Sequence, residues 1–170
     1  IFRCGPHASF FMGFWSFLAA LTLAVSYGYG EDREFSPGEY VALILFSCVG
    51  MSFLSMASSL VGFFLGLEMI SLTFYILTVF HREAPEAPEA GMKYLILGAL
   101  SSAIFLYGLS LVYGMTGTTI ISEIAGRIQS LDTISPALIV GLLFVLAGLG
   151  FKISLIPFQM WTPDVYEGAP

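Results

Sequence analysis

Charge is what this sequence has least of. Only 11% of its 170 residues are Asp, Glu, Lys or Arg, against the ~25% usual for a soluble domain. So few charges cannot coat a water-facing surface of this size, and the mean hydropathy of +0.88 agrees. A soluble globular domain is excluded, and the lipid bilayer is the expected solvent. The net charge is −6, carried by acids that lie almost wholly between the apolar runs. No basic patch exists, which excludes nucleic acid as a partner. Cysteine is scarce too: Cys4 and Cys48 lie far apart in unrelated contexts, so neither a disulfide framework nor a metal site is expected. His7 and His81 are lone histidines at segment edges and read as bland. There is no glycine-rich phosphate loop, no cysteine cluster and no histidine pair. No flavin, iron–sulfur, nucleotide or metal cofactor is therefore expected on this chain, and no residue of it is expected to do redox catalysis.

Long hydrophobic runs fill the space that charge leaves. Five stand out, at roughly 9–29, 39–56, 60–80, 92–113 and 136–156. Each approaches the ~20 residues that cross a ~30 Å hydrocarbon layer as a helix. Backbone facing lipid must bond within its own segment, so helices are expected. A β-barrel would need alternating ~10-residue segments, and these runs do not alternate. The first run is too long and too aromatic for a signal peptide, and it shows no clear cleavage site. The chain begins at Ile1 and breaks off in "VYEGAP", and it reads as a piece of a longer protein.

The connections are legible. "GEDREFSPGE" holds Pro37 and Gly38 as breakers. "SMASS" is short and uncharged, which predicts a tight hairpin between the second and third runs. "HREAPEAPEAG" is a stiff, polar repeat expected outside the membrane, and Pro88 suits the first turn of the fourth helix. In "GTTIISEIAGRIQSLDTISP", Ile120, Ile121, Ile124, Ile128 and Leu131 recur at helical spacing. Two readings stand side by side there: a short amphipathic helix on the membrane surface, and a hydrophobic loop packed on the bundle. The positive-inside rule favours a cytoplasmic location for the 30–39 and 81–91 connections only by the margin of Lys93.

Three ionisable residues fall within or at the edge of these runs: Glu68, Lys93 and Lys152. A charge at the bilayer centre costs about 2.5–3.5 kcal/mol on insertion scales, and such groups are functional by default. Glu68 sits in "VGFFLGLEMISLTFYIL", half a turn from Gly62 and Gly66, a small-xxx-small pair that admits a close helix. It reads as a relay or ion-pair acid; the plainer reading is a protonated glutamate with one interhelical hydrogen bond. Lys93 lies a turn inside its run, where a lysine can snorkel to the headgroups. Glu68 nevertheless needs a partner, with Lys93 preferred and Lys152 second.

Lys152 lies sixteen residues into the last run, after Gly148 and Gly150 and before Pro157. Pro157 has no N–H for the carbonyl of Ile153, and its ring clashes there. A helix break between about 153 and 158 is expected, leaving free carbonyls beside the Lys152 ammonium. Irregular backbone at membrane depth survives only where protein or a water cavity covers it, and transporters build ion sites from such breaks. The plainer reading ends the helix at Pro157 with Lys152 snorkelling. Against it, "FQMWTPDVYEG" stays apolar and aromatic, as a second half-helix would.

"GLEMISL", "MKYLILGALSSAIFLYG" and above all "GFKISLIPFQMWTPDVYEGAP" resemble the antiporter-like membrane subunits of respiratory complex I. The ending "WTPDVYEGAP" most resembles one of those subunits. The other two, and the multisubunit Na+/H+ antiporters, diverge in that phrase. The resemblance runs from about residue 39 to 170; the first run matches only in character. It implies an all-α, polytopic membrane bundle of about five transmembrane helices, the last discontinuous, as part of an inverted-repeat fold. Residues 1–38 would then be a preceding helix and loop. Residues 39–170 would be a partial first repeat, in segments 39–58, 60–80, 92–114 and 136–170.

The resemblance further implies a proton relay through Glu68, Lys93 and Lys152, with the helix break at Pro157. The implied function is proton translocation as a subunit of a redox-driven NADH–quinone oxidoreductase in the bacterial inner membrane. Its partners would be the other membrane subunits of the complex and the lipid bilayer, with quinone and NADH bound elsewhere. A secondary cation/proton antiporter and an inert membrane scaffold are the alternatives. This stretch alone is not expected to transport.

Overall fold

A computed structural model describes residues 1–27, 36–81, 85–131 and 133–169. The element order is α1 (Pro6–Ser26), α2 (Pro37–Met56), α3 (Leu60–Thr78), α4 (Ala87–Thr116), α5 (Ile121–Gln129), α6 (Pro136–Lys152), a 3₁₀ turn (Gln159–Trp161) and α7 (Thr162–Gly168). Four of these, α1 to α4, are long and apolar enough to cross a membrane, and α6 is a shorter apolar helix. The chain is a multi-pass membrane protein. Much of the "GEDREFSPGE" connection, with Arg33, and Arg82 of the next one, lies outside the described residues.

Proline opens the helices. Pro6, Pro37, Pro88, Pro136 and Pro163 each stand in a first turn, where the missing N–H is no loss and φ is already helical. Pro88 does so in α4, which begins at Ala87 and not near 92. Part of the polar repeat is thus helix. At 30 residues and 1.5 Å per residue, α4 is about 45 Å long, well over the hydrocarbon thickness. Its length leaves several residues beyond what a span needs, and Lys93 lies in its second turn. Serines cap two other helices: Ser59 Oγ accepts from Gly62 N at 3.1 Å and Ser135 Oγ from Leu138 N at 3.2 Å. Gly117 ends α4 in the left-handed region at φ 67°, the conformation glycine adopts without strain.

The bundle is built on two close pairings, α4 with α6 and α2 with α3, with α1 against α2. Small residues let backbones meet. A Cβ at Gly108 would lie 2.7 Å from the carbonyl of Gly141, and one at Gly66 would lie 2.8 Å from Leu54 N. The Gly62/Gly66 stripe therefore faces the N-terminal residues and α2. Glu68, half a turn on, faces the other way, toward α4 and α6.

One end of the bundle is tied by short extended segments. Phe2 bridges Ala57 and Ser59 bridges Ile120, both antiparallel. Arg3 N donates to Met56 O at 2.7 Å, Leu60 N to Thr119 O at 2.8 Å and Ile121 N to Ser58 O at 3.2 Å. The predicted tight turn between α2 and α3, at 57–59, is thus the middle segment of a small clasp. Beside it, α5 resolves the two readings of the 117–136 connection. It is a helix, and it is packed on the bundle: Ile124 is buried with Val112 and Leu138, and Ile128 packs alongside. Leu131 falls beyond its end.

Candidate functional site

Lys152 is the last residue of α6. What stops the helix there is not Pro157 but Ser154, three residues earlier. Ser154 has φ 54°, the left-handed conformation that closes helices. Its N–H donates to Phe151 O at 3.1 Å, and the N–H of Leu155 reaches back to Gly150 O at 2.8 Å. These two bonds define a Schellman ending. Pro157 follows in the irregular stretch, behind a cis peptide bond, where it prevents the helix from resuming at once. The carbonyls expected beside the ammonium are therefore engaged: Gly150 and Phe151 in the cap, and Phe151 also by Trp161 Nε1 at 3.1 Å. Ser154 and Thr162 hydroxyls pair at 2.6 Å, joining the two sides of the break.

The Lys152 ammonium turns instead to α3. Nζ lies 3.3 Å from Glu68 Oε1 and 2.6 Å from Ser71 Oγ. Glu68 Oε1 also accepts from Ser102 Oγ of α4 at 2.5 Å, and the neighbouring Ser101 donates to Gly148 O of α6 at 3.1 Å. Three helices thus converge on one ion pair. An aromatic stack lies against it. Tyr75 stands 5.9 Å from the ammonium and meets Tyr94 edge-on at 4.7 Å. Tyr94 stacks on Trp161 at 4.6 Å, and Trp161 on Phe151 at 5.4 Å. A groove of about 780 Å³ runs along the same stack, lined among others by Ser71, Thr78, Tyr94, Lys152, Trp161 and Tyr166.

Lys93 is elsewhere. Its Nζ meets Asp164 Oδ2 of α7 at 2.8 Å and Glu89 Oε1, one turn back on α4, at 2.8 Å. Glu68 is paired with Lys152, not with the preferred Lys93. Asp164, Ser71 and Ser102 went unnoticed in the sequence. Ser71 was within reach of reasoning, because i and i+3 share a helix face. Ser102 was not, since only the packing of α4 on α3 brings it to Glu68. Among the described residues, no group of three or more His, Cys, Asp or Glu could hold a metal ion.

A family profile described as "NADH:quinone oxidoreductase/Mrp antiporter, TM" matches residues 57–170. The chain belongs to that family. Within the NADH:quinone oxidoreductase/Mrp antiporter family it is 50% identical, over 165 residues, to the NADH-quinone oxidoreductase subunit N of Moorella thermoacetica. That match covers 97% of this chain and 34% of the relative, so the chain spans about a third of the relative's length. It also takes in most of the first helix, where the sequence had suggested likeness only from about residue 39. Two solved structures share the fold of this chain. The archaeal membrane-bound sulfane sulfur reductase superposes with a TM-score of 0.82 at 30% identity, over 99% of this chain and 34% of that one. Respiratory complex I from Thermus thermophilus superposes with a TM-score of 0.74 at 34% identity, over 99% of this chain and 37% of that one.

Proposed function

We propose that this chain is part of a proton-translocating membrane subunit of a bacterial NADH–quinone oxidoreductase, sited in the inner membrane. The observation that carries the reading is the Lys152–Glu68 pair, set where the apolar helix α6 breaks. Two charges in a low-dielectric site are stable together and expensive apart. The protonation state of Lys152 is therefore tied to whether the carboxylate stands beside it. A rearrangement that parts them loads or releases a proton with little backbone motion. The break supplies the necessary freedom, since the ammonium sits at a helix end that is not continued. Redox chemistry, quinone and NADH belong to partner subunits, and other membrane subunits complete the path. Lys93, on the same α4 edge as the 81–91 connection, is the proposed contact of this axis with the cytoplasmic side.

The family also includes Mrp-type antiporters, which gives a second reading, a cation/proton antiporter without redox partners. Purification of the intact protein separates the two: co-purifying redox subunits support the first. The relay is tested in the complete enzyme, by proton pumping and NADH oxidation in membrane vesicles. Lys152→Met is expected to reduce protons moved per NADH by roughly tenfold or more, as for the loss of one partner of a buried pair. Lys152→Arg should not rescue, because guanidinium does not release its proton. Full pumping by Lys152→Arg would reduce Lys152 to a fixed charge and end the relay reading.

A further inference from the structure

The pair at the break is slacker than its surroundings. Lys152 Nζ and Glu68 Oε1 stand 3.3 Å apart, yet each has a nearer hydroxyl partner, Ser71 for the ammonium at 2.6 Å and Ser102 for the carboxylate at 2.5 Å. The Ser71 hydroxyl is also 2.8 Å from the carbonyl of Leu67, to which it donates. Its single hydrogen is thus directed at Leu67, and its lone pairs are open to the ammonium. We infer that Ser71 is a positioning residue that keeps the Lys152 nitrogen in place in both of its protonation states.

The reasoning rests on what each partner can offer. As an ammonium, Lys152 donates to Ser71 Oγ and to Glu68. When one N–H bond breaks, its electron pair stays on nitrogen and the proton passes to a water molecule in the groove that Lys152 lines. The nitrogen then needs a donor. A carboxylate only accepts, so Glu68 cannot supply one. The Ser71 hydroxyl can, by rotating its hydrogen from Leu67 O to Nζ. Leu67 O loses little, because it keeps its main-chain bond within α3 and a carbonyl has two lone pairs. No heavy atom moves. The titratable groups near Lys152 are Glu68 and Tyr75, with Tyr40, Tyr94 and Tyr166 further along the groove. Ser71 is the group recorded within 3 Å of the nitrogen.

This inference depends on the relay role proposed for Lys152, and the test separates the two. In the complete enzyme, Ser71→Thr keeps the hydroxyl and Ser71→Val carries a methyl in its place, so the two variants differ in the hydrogen bond and not in size. Protons moved per NADH are measured in membrane vesicles, with the KM for NADH and the level of assembled complex. Ser71→Thr is expected to pump near the wild-type level. Ser71→Val is expected to lose roughly tenfold, the loss typical of a hydrogen bond to a charged group, with KM unchanged. Equal pumping by the two assembled variants would overturn the inference. Should neither assemble, the smaller Ser71→Ala decides: wild-type pumping overturns it and a roughly tenfold loss supports it. Lys152→Met is measured alongside. If it pumps fully, the proposed function falls; if it does not while Thr and Val behave alike, only the role of Ser71 falls.

Discussion

Two lysines of this chain hold carboxylates in opposite ways. Lys93 grips Asp164 and Glu89 tightly, at 2.8 Å each, but at 43%, 40% and 71% exposure. Lys152 stands off Glu68 at 3.3 Å, at 13% and 23% exposure. Distance alone would rank the first pair as stronger. Surroundings reverse the ranking. An exposed pair exchanges water for a partner almost evenly and is screened by salt. A buried one has less water to fall back on when it opens. The Lys93 pair is suited to holding α7 against α4, and the Lys152 pair to reporting its own separation. Among the described residues, the hydrogen-bond partners of Lys93 are carboxylates, with no serine like those beside Lys152 and Glu68.

The most damaging way to probe this contrast is to remove charge at the buried pair. Glu68→Gln should reduce pumping by roughly tenfold or more, as the loss of a buried partner does. Adding Lys152→Met should do less further harm than it does alone, because residues acting as one unit are non-additive. Additive losses, measured as protons per NADH in vesicles, would mean that the two side chains work independently.

A smaller effect is expected from moving the seat of Lys152 without touching either charge. Ser154→Val places a β-branched residue at φ 54°, a conformation that costs roughly 1–2 kcal/mol, and also removes the hydroxyl bond to Thr162. Thermal stability of the purified complex should fall and pumping should weaken by severalfold. Unchanged stability would show that the ending at Ser154 is not what positions Lys152.

At the exposed pair the expected effects are slight. Asp164→Asn should change pumping by roughly twofold or less, and raising ionic strength should shrink the difference between mutant and wild type. A large, salt-independent loss would mean that Lys93 needs Asp164, and not its charge alone, to serve the proton path. Glu89→Gln should be the mildest, without measurable change in pumping or assembly, since Asp164 still holds the same ammonium.

Why the buried pair could be partly foreseen follows from particular residues. Glu68 and Lys152 were conspicuous because an apolar run makes any charge stand out. The break after Lys152 was foreseen as well, but for an incomplete reason. Pro157 is visible in the sequence, whereas a serine in the left-handed region leaves no mark, because glycine is the residue usually expected there. The partner of Glu68 was not legible. Lys93 and Lys152 are equally charged, and only the close packing of α4 on α6 decides which reaches α3. The first turns of α4 were placed too late because a Pro-Glu repeat looks like a linker, although proline at the first turn favours a helix.

The clasp of extended segments at one end of the bundle has a mechanical consequence. It pins the start of α3 to the residues just after α4, so a tilt of α3 against α4 and α6 would be anchored at that end. Glu68 lies eight residues from Leu60, a lever arm of about 12 Å, so a tilt of roughly 5° carries it about 1 Å. That stroke would widen the 3.3 Å gap to Lys152 past ion-pair contact. Thr78 rides the same lever at about 27 Å and travels a little over twice as far. A tilt of α3 about that end would therefore move the Thr78 part of the groove lining by a larger step than the ion pair.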